Sequence, residues 1–268
     1  MHKLFELKTP IINRAPKYSR QSFLDISDWR TLQNDITTDG LWISSISTNN
    51  RPVFLIPKRD WNIRNDSGFH GLFIPEIPYQ FIRRFTNEED YVWDCFGGSG
   101  TTKRVADYLN RNCIINDLHP TKDYIIEADT RTFNPNRNFK LVFMHPPYYN
   151  IVKYSDSIED GSNQSDISAF YNWFEECVKN VNQYVENKGF IILVMGNIYI
   201  DGEEIDSGVA CKEIIRKYGY KCKSHIIKDY GETKGSDVRN YNLNFVRQLR
   251  GNYNNFYGDN IFILQKVN

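Results

Sequence analysis

The chain has 268 residues, 40% of them hydrophobic and 25% charged, enough for one large buried core. Its 33 basic and 33 acidic side chains cancel, which argues against a protein held to nucleic acid by bulk charge, although a local patch is still possible. No apolar run approaches the ~18 residues of a membrane span. The five cysteines, an odd number without a CxxC pair, argue against a disulfide framework or a zinc site and fit a reducing, cytoplasmic compartment.

Residues 1–66 read as an N-terminal extension of mixed character. "DGLWISSIS" and "RPVFLIPKRDW" are short strand candidates there, with a turn at Asn49-Asn50. From about residue 67 the pattern becomes regular. "YVWDCF" is a short apolar run ending at Gly97, and "TTKRVADYLNR" has helical spacing, with Val105 and Leu109 on one face. "CIIND", "DYIIE" and "KLVFMH" read as strands, and "ISAFYNWFEECVKNVNQYV" as an amphipathic helix. "GFIILVMG" is apolar throughout, as a strand buried on both faces would be. "GVACKEIIRKYG" is a helix closed by Gly219, and "YKCKSHIIKDYG" and "NIFILQKV" are the last two strands. The polar, Gly/Ser-rich stretch 154–166 reads as a mobile loop.

Strands alternating with helices predict an α/β fold with a mainly parallel sheet. Such sheets bind ligands at the carboxyl ends of their strands. The first of these ends carries "DCFGGSGTT", Asp94 to Thr102, with Gly97, Gly98 and Gly100 just ahead of a helix. Glycines there admit positive φ and close backbone approach, which suits a nucleotide-like ligand at a helix N-terminus. The loop lacks the lysine of a phosphate-transfer loop and the GxGxxG spacing of dinucleotide folds. The next strand ends at Asn116-Asp117, with an acid about 20 residues past the glycines, where a ribose diol is held. Asp129 follows the "DYIIE" strand and is a weaker candidate for reading an adenine group.

The remaining strand end is "HPPY", His145 to Tyr148. The two prolines fix φ and have no N–H, so the carbonyls at this corner are held in one direction, ready to accept from outside. Tyr148 offers a flat face for a planar ring, worth about 1–3 kcal/mol per stacked base. Two acceptors and a stacking ring suit a substrate with an exocyclic amino group.

Together, "DCFGGSGTT" and "HPPY" resemble the paired motifs of the S-adenosylmethionine-dependent DNA amino-methyltransferases, which act on adenine N6 or cytosine N4. Those motifs are usually written DPFxGSGTT and [D/N/S]PPY, so Cys95 and His145 are departures. "HGLFIPEIPYQFIRRFT" (70–86) and the C-terminal stretch are also similar to the cofactor-motif-first subgroup, and the resemblance covers residues 66–268. It implies a Rossmann-like, seven-stranded methyltransferase sheet, mainly parallel, with the last strand antiparallel between its neighbours.

By position-for-position match, the resemblance implies that Asp94, Cys95, Phe96, Gly97, Gly98, Ser99, Gly100, Thr101 and Thr102 hold S-adenosylmethionine. Asp117 and Asp129 would assist, and Phe73, Ile74 and Pro75 would help close the pocket. His145, Pro146, Pro147 and Tyr148 would form the catalytic corner, with no metal. A neutral His145 would accept through Nδ1, and activity would fall below its pKa.

The implied partner is double-stranded DNA, methylated at adenine N6 ahead of cytosine N4 in a restriction-modification or phage modification setting. A cognate restriction endonuclease or a second copy of the chain are further partners, and no membrane is involved. Tyr149, Lys153, Arg239, Arg247 and Arg250 are candidate DNA contacts, the last three in a basic-aromatic stretch. The alternatives are a methyltransferase acting on RNA bases and an inactive partner that binds DNA or cofactor.

Overall fold

The computed structural model describes residues 41–43, 75–229, 250 and 258–267. Its ten strands are β1 (Leu41–Ile43), β2 (Tyr91–Asp94), β3 (Asn112–Asp117), β4 (Ile126–Glu127), β5 (Phe139–Met144), β6 (Val185–Met195), β7 (Ile198–Ile200), β8 (Glu203–Ile205), β9 (Tyr220–Asp229) and β10 (Gly258–Lys266). The helices are α1 (Glu76–Phe85), α2 (Thr101–Tyr108), α3 (Ile167–Asn182) and α4 (Ser207–Arg216). Eight strands form one sheet in the order β1-β9-β10-β6-β5-β2-β3-β4. The pairs inside it are parallel except for β10, which runs antiparallel to both β6 and β9. This is the expected seven-stranded arrangement with an eighth strand added, since "LWI" from the N-terminal stretch pairs with the outer side of β9.

The apolar strands are explained by layering. Successive side chains point to opposite faces of a sheet. Val142 and Met144 of β5 and Ile191, Leu193 and Met195 of β6 join a cluster with Phe170, Phe174 and Val178 of α3 and Cys211 and Ile215 of α4. Their neighbours Leu141, Phe143, Ile192 and Val194 join the opposite cluster, with Ile77, Phe81, Ile82 and Phe85 of α1 and Val105 and Ala106 of α2. With helices over both faces the apolar stretches Leu141–Met144 of β5 and Phe190–Met195 of β6 are buried throughout, so the sequence shows runs there instead of alternation. Asp166 starts α3 by accepting from Ala169 N at 2.8 Å, and Gly219 at φ +86° follows α4 as expected.

A buried polar knot joins three strand ends. Trp93 Nε1 donates to Asn116 Oδ1 at 2.7 Å, and Asn116 Nδ2 donates to Thr130 Oγ1 at 3.1 Å and Ala128 O at 3.2 Å. Thr130 Oγ1 in turn donates to the Cys95 carbonyl at the start of the glycine loop. Asn116 is fully buried. Asn116→Ala strands the Trp93 and Thr130 partners without water. Each unsatisfied buried group costs about 1–3 kcal/mol, so the expected loss is about 2–6 kcal/mol, read from the urea unfolding midpoint.

Candidate active site

The chain leaves β2, builds β3 and β4 outward, then returns to place β5 on the other side of β2. The glycine loop after β2 and the proline corner after β5 therefore flank the point where strand order reverses, the place where open α/β sheets hold ligands. Register makes the approach close, because Asp94 is paired with both Ile115 of β3 and Phe143 of β5. Cys95 N and Sγ both donate to the Phe143 carbonyl, at 3.3 and 3.2 Å. A proline at 95 would have neither donor, so the departure Cys95 adds a tie between the two loops.

A cavity of about 340 Å³ lies at this edge. The glycine loop lines it from Cys95 to Ser99 and again at Thr101, the β3 end through Asp117 and His119, the β4 end through Asp129 and Thr130, and the corner through His145 and Pro147. Two glycines of the loop are demanded by geometry. A Cβ on Gly97 would lie 2.6 Å from Ile115 Cγ1 and 3.1 Å from Asn116 O, and Gly100 has φ +78° with the Tyr124 ring against it.

Asp117 bridges loop and strand, accepting from Gly98 N at 2.8 Å through Oδ2 and from His119 N at 2.9 Å through Oδ1. Burial raises its pKa, against the pull of those two amides. Asp129 lines the cavity with both oxygens bonded to Arg131, so a ligand amino group would share that carboxylate.

Other expected residues stand elsewhere. Asp94 is 1% exposed and lies behind the loop, where Oδ1 accepts from Phe96 N at 3.1 Å. Burial pushes its carboxyl up to about 7. Gly100, Thr102, the buried Pro146 and the half-buried Tyr148 also lie off the cavity wall. So does Pro75, which starts α1 by accepting from Tyr79 N at 3.1 Å. Phe73, Ile74, Arg239 and Arg247 fall outside the described residues.

Arg250 is exposed, and Lys153 is exposed at the cavity rim, paired with Asp156. Tyr149 is a correction. It is 7% exposed and packs with Phe170 at 6.0 Å between ring centroids, because the 3-10 turn Tyr149–Ile151 rolls it into the core. It does not present a surface to DNA.

Residues 154–166 are a second correction. Their polar side chains are spent on the loop itself. Asp160 accepts from Ser155 Oγ at 2.7 Å and from Ser162 N and Oγ at 2.8 Å. Asn163 Nδ2 donates to the Ser155 and Ser157 carbonyls at 2.9 and 2.7 Å. Trp173 Nε1 holds the Glu159 carbonyl at 3.0 Å, and Arg131 pairs with the Glu159 carboxylate. The segment is thereby built into the cavity wall, supplying Tyr154, Glu159, Asp160 and Gly161. Composition signals polarity, and only the fold shows where the polar atoms bond.

The corner also has partners that motif reading missed. Tyr148 packs over Gly196, which follows β6. A Cβ there would lie 2.6 Å from Tyr148 Cε2. The Tyr148 hydroxyl sits 3.0 Å from His145 Nε2 and donates to Asp259 Oδ1 at 2.9 Å.

Gly97→Ala should keep the fold and loosen the loop. Overpacking costs about 1–3 kcal/mol, which on a ligand-bound loop amounts to roughly a ten- to hundredfold loss of affinity. Calorimetric titration with S-adenosylhomocysteine, with circular dichroism as the folding check, reads this directly.

A family model described as DNA methylase matches residues 12–127, a span that takes in the glycine loop and Asp117 and ends before the His145 corner. No curated protein matches the chain. Among solved structures it is similar to TrmN from Thermus thermophilus, at 14% identity over 74% of this chain and 50% of that one, with a TM-score of 0.46. It is similar to precorrin-6y C5,15-methyltransferase from Geobacter metallireducens GS-15, at 14% identity over 72% and 87% of the two chains, TM-score 0.42. A third is N-methyltransferase NodS from Bradyrhizobium japonicum WM9 in complex with S-adenosyl-L-homocysteine, at 8% identity over 68% and 80%, TM-score 0.40. The chain spans half the length of the TrmN chain. Over residues 12–127 the chain is thus similar to the DNA methylase family.

Proposed function

We propose that this chain methylates an exocyclic amino nitrogen of a base in duplex DNA, adenine N6 first and cytosine N4 second, as the modifying enzyme of a restriction-modification or phage DNA modification system. The observation that carries the reading is the shared cavity. The glycine loop and the His145 and Pro147 positions of the corner line the same cavity, so a cofactor and an amino group would meet inside it.

The cavity suits the cofactor's charge. S-adenosylmethionine is a sulfonium with an ammonium group, and when bound it supplies an electrophilic methyl. The described lining holds four carboxylates, Asp117, Asp129, Glu159 and Asp160, against one lysine, Lys153. Arg131 neutralises Asp129 and Glu159. Asp117 and Asp160 are bonded only to backbone amides and serine hydroxyls among the described residues, which leaves negative charge for a cationic ligand.

The protein's own task is then positioning. A base amino nitrogen is a poor nucleophile, because its lone pair is delocalised into the ring. His145 and the Pro146 carbonyl accept its two hydrogens, Tyr148 stacks on the ring, and the nitrogen is held in line with the methyl donor. The nitrogen–methyl bond forms as the sulfur–methyl bond breaks, and the amino nitrogen sheds one proton. The base leaves the helix stack to enter the cavity.

Tritiated S-adenosylmethionine with duplex DNA tests the reading, followed by mass spectrometry of the released nucleosides. Label in N6-methyladenine or N4-methylcytosine is the expected result. Label in RNA only, or in neither, overturns it. The pH dependence is a second check. Burial lowers His145 to about 4, so it stays a neutral acceptor across roughly pH 5–8 and is lost only when protonated below that range. The wild-type rate should show an acid limb near pH 4 that His145→Asn lacks. Identical profiles would remove His145 from the acceptor role.

A further inference from the structure

Ile158 is the most exposed large apolar side chain among the described residues, at 79%. A single exposed isoleucine is ordinary on a protein surface. What sets this one apart is how firmly its backbone is held.

Each carbonyl from Ser157 to Asp160 accepts from a side chain. Asn163 Nδ2 donates to Ser157 O at 2.7 Å, Trp173 Nε1 to Glu159 O at 3.0 Å, and Gln164 Nε2 to both Ile158 O and Asp160 O at 3.0 Å. Carbonyls at a loop tip can bond to water, so side chains are not needed to satisfy them. What the side chains add is a fixed backbone. The brace reaches α3. The Trp173 indole stacks on Phe170 with ring centroids 5.7 Å apart, and a Cβ on Gly161 would lie 2.5 Å from that indole.

Along the chain the tip lies between Tyr154 and Glu159, both of the cavity wall, which puts it at the rim. Ile151, 55% exposed, precedes the wall residue Val152 on the same segment. The acids that flank the tip have cationic partners, Asp156 with Lys153 at 2.5 Å and Glu159 with Arg131. The tip therefore meets a phosphate backbone without a bare anion.

A base that swings out of a duplex leaves a gap, and its former neighbours expose apolar faces there. Proteins that unstack bases insert apolar side chains at such steps. A wedge that is already rigid loses little freedom on insertion. An isoleucine on a braced tip beside the cavity has these properties.

We propose that Ile158 is a wedge that enters the DNA stack as the target base swings into the cavity. The wedge rests on the amino-methyltransferase reading above and adds to it the residue that meets the base stack.

The target sequence is first read from DNA that the wild type has methylated. Two duplex oligonucleotides carrying it are then compared, one matched and one with a mismatched base opposite the target. A mismatched base is easier to extrude, so it needs the wedge less. Relative to wild type on the same duplex, Ile158→Ser is expected to lose about 10- to 100-fold in kcat/KM on the matched DNA and less than about threefold on the mismatched DNA. Affinity for S-adenosylhomocysteine is expected to be unchanged, and Ile158→Leu is expected to keep the activity.

A serine variant that keeps pace on matched DNA overturns the wedge alone. So does an equal loss on both duplexes, or a loss that tracks weaker S-adenosylhomocysteine binding, since the tip would then act through the cavity wall. A wild type that methylates no DNA overturns the functional reading and the wedge with it.

Discussion

The site depends on the parallel register of β2 between β3 and β5. Hydrogen-bonded strands lie about 4.8 Å apart, so loops leaving adjacent strands at the same level are neighbours whatever their sequence. Asp94 is level with both Ile115 and Phe143, so the glycine loop, the Asp117 turn and the proline corner all leave the sheet within two strand widths. A cofactor wall and a substrate wall can then face each other without a long arm reaching across. A slip of one residue in either pairing would turn Trp93 and Val92 to the wrong faces, and the two apolar clusters resist that.

Close loops still have to be held still. Parallel ladders end where the loops begin, and the backbone groups beyond them need other partners. The Trp93–Asn116–Thr130 knot supplies them beneath the cavity, tying the β2, β3 and β4 ends to the first residue of the glycine loop. Cys95 adds a bond from that loop to β5. Asp117 is buried at a desolvation cost that two backbone N–H bonds only partly offset, leaving a carboxylate that favours a positive or hydroxyl-rich ligand beside it. Rigid floor and charged wall come from the same few residues.

Much of this was legible in the sequence. Apolar runs and their spacing give the sheet, the antiparallel insertion of the last strand follows from the family resemblance, and the turn residues locate the glycine loop and the corner. The misses share a cause. Gly196, Lys228 and Asp259 carry no motif, because each matters only through a side chain far away in sequence. Asp259 reaches Tyr148 across 111 positions. The β7–β8 hairpin did have a local signal, Asp201-Gly202 with both φ positive, and its short strands hide it among the polar residues that flank α4. Residues 154–166 and Tyr149 show the opposite limit. Composition reports how polar a segment is, and cannot say whether its polar atoms face water or one another.

The antiparallel β10 then takes on a use beyond closing the sheet. A parallel strand brings its last residues to the ligand edge, so it delivers one loop there. A strand inserted the other way brings its first residues to that edge instead. Gly258 and Asp259 open β10 level with Asp229 and Lys228, the end of β9, and Asn260 lies opposite Met195, the end of β6 just before Gly196. One reversed strand thus sets a carboxylate beside a lysine and under the Tyr148 hydroxyl, at the edge where the corner stands.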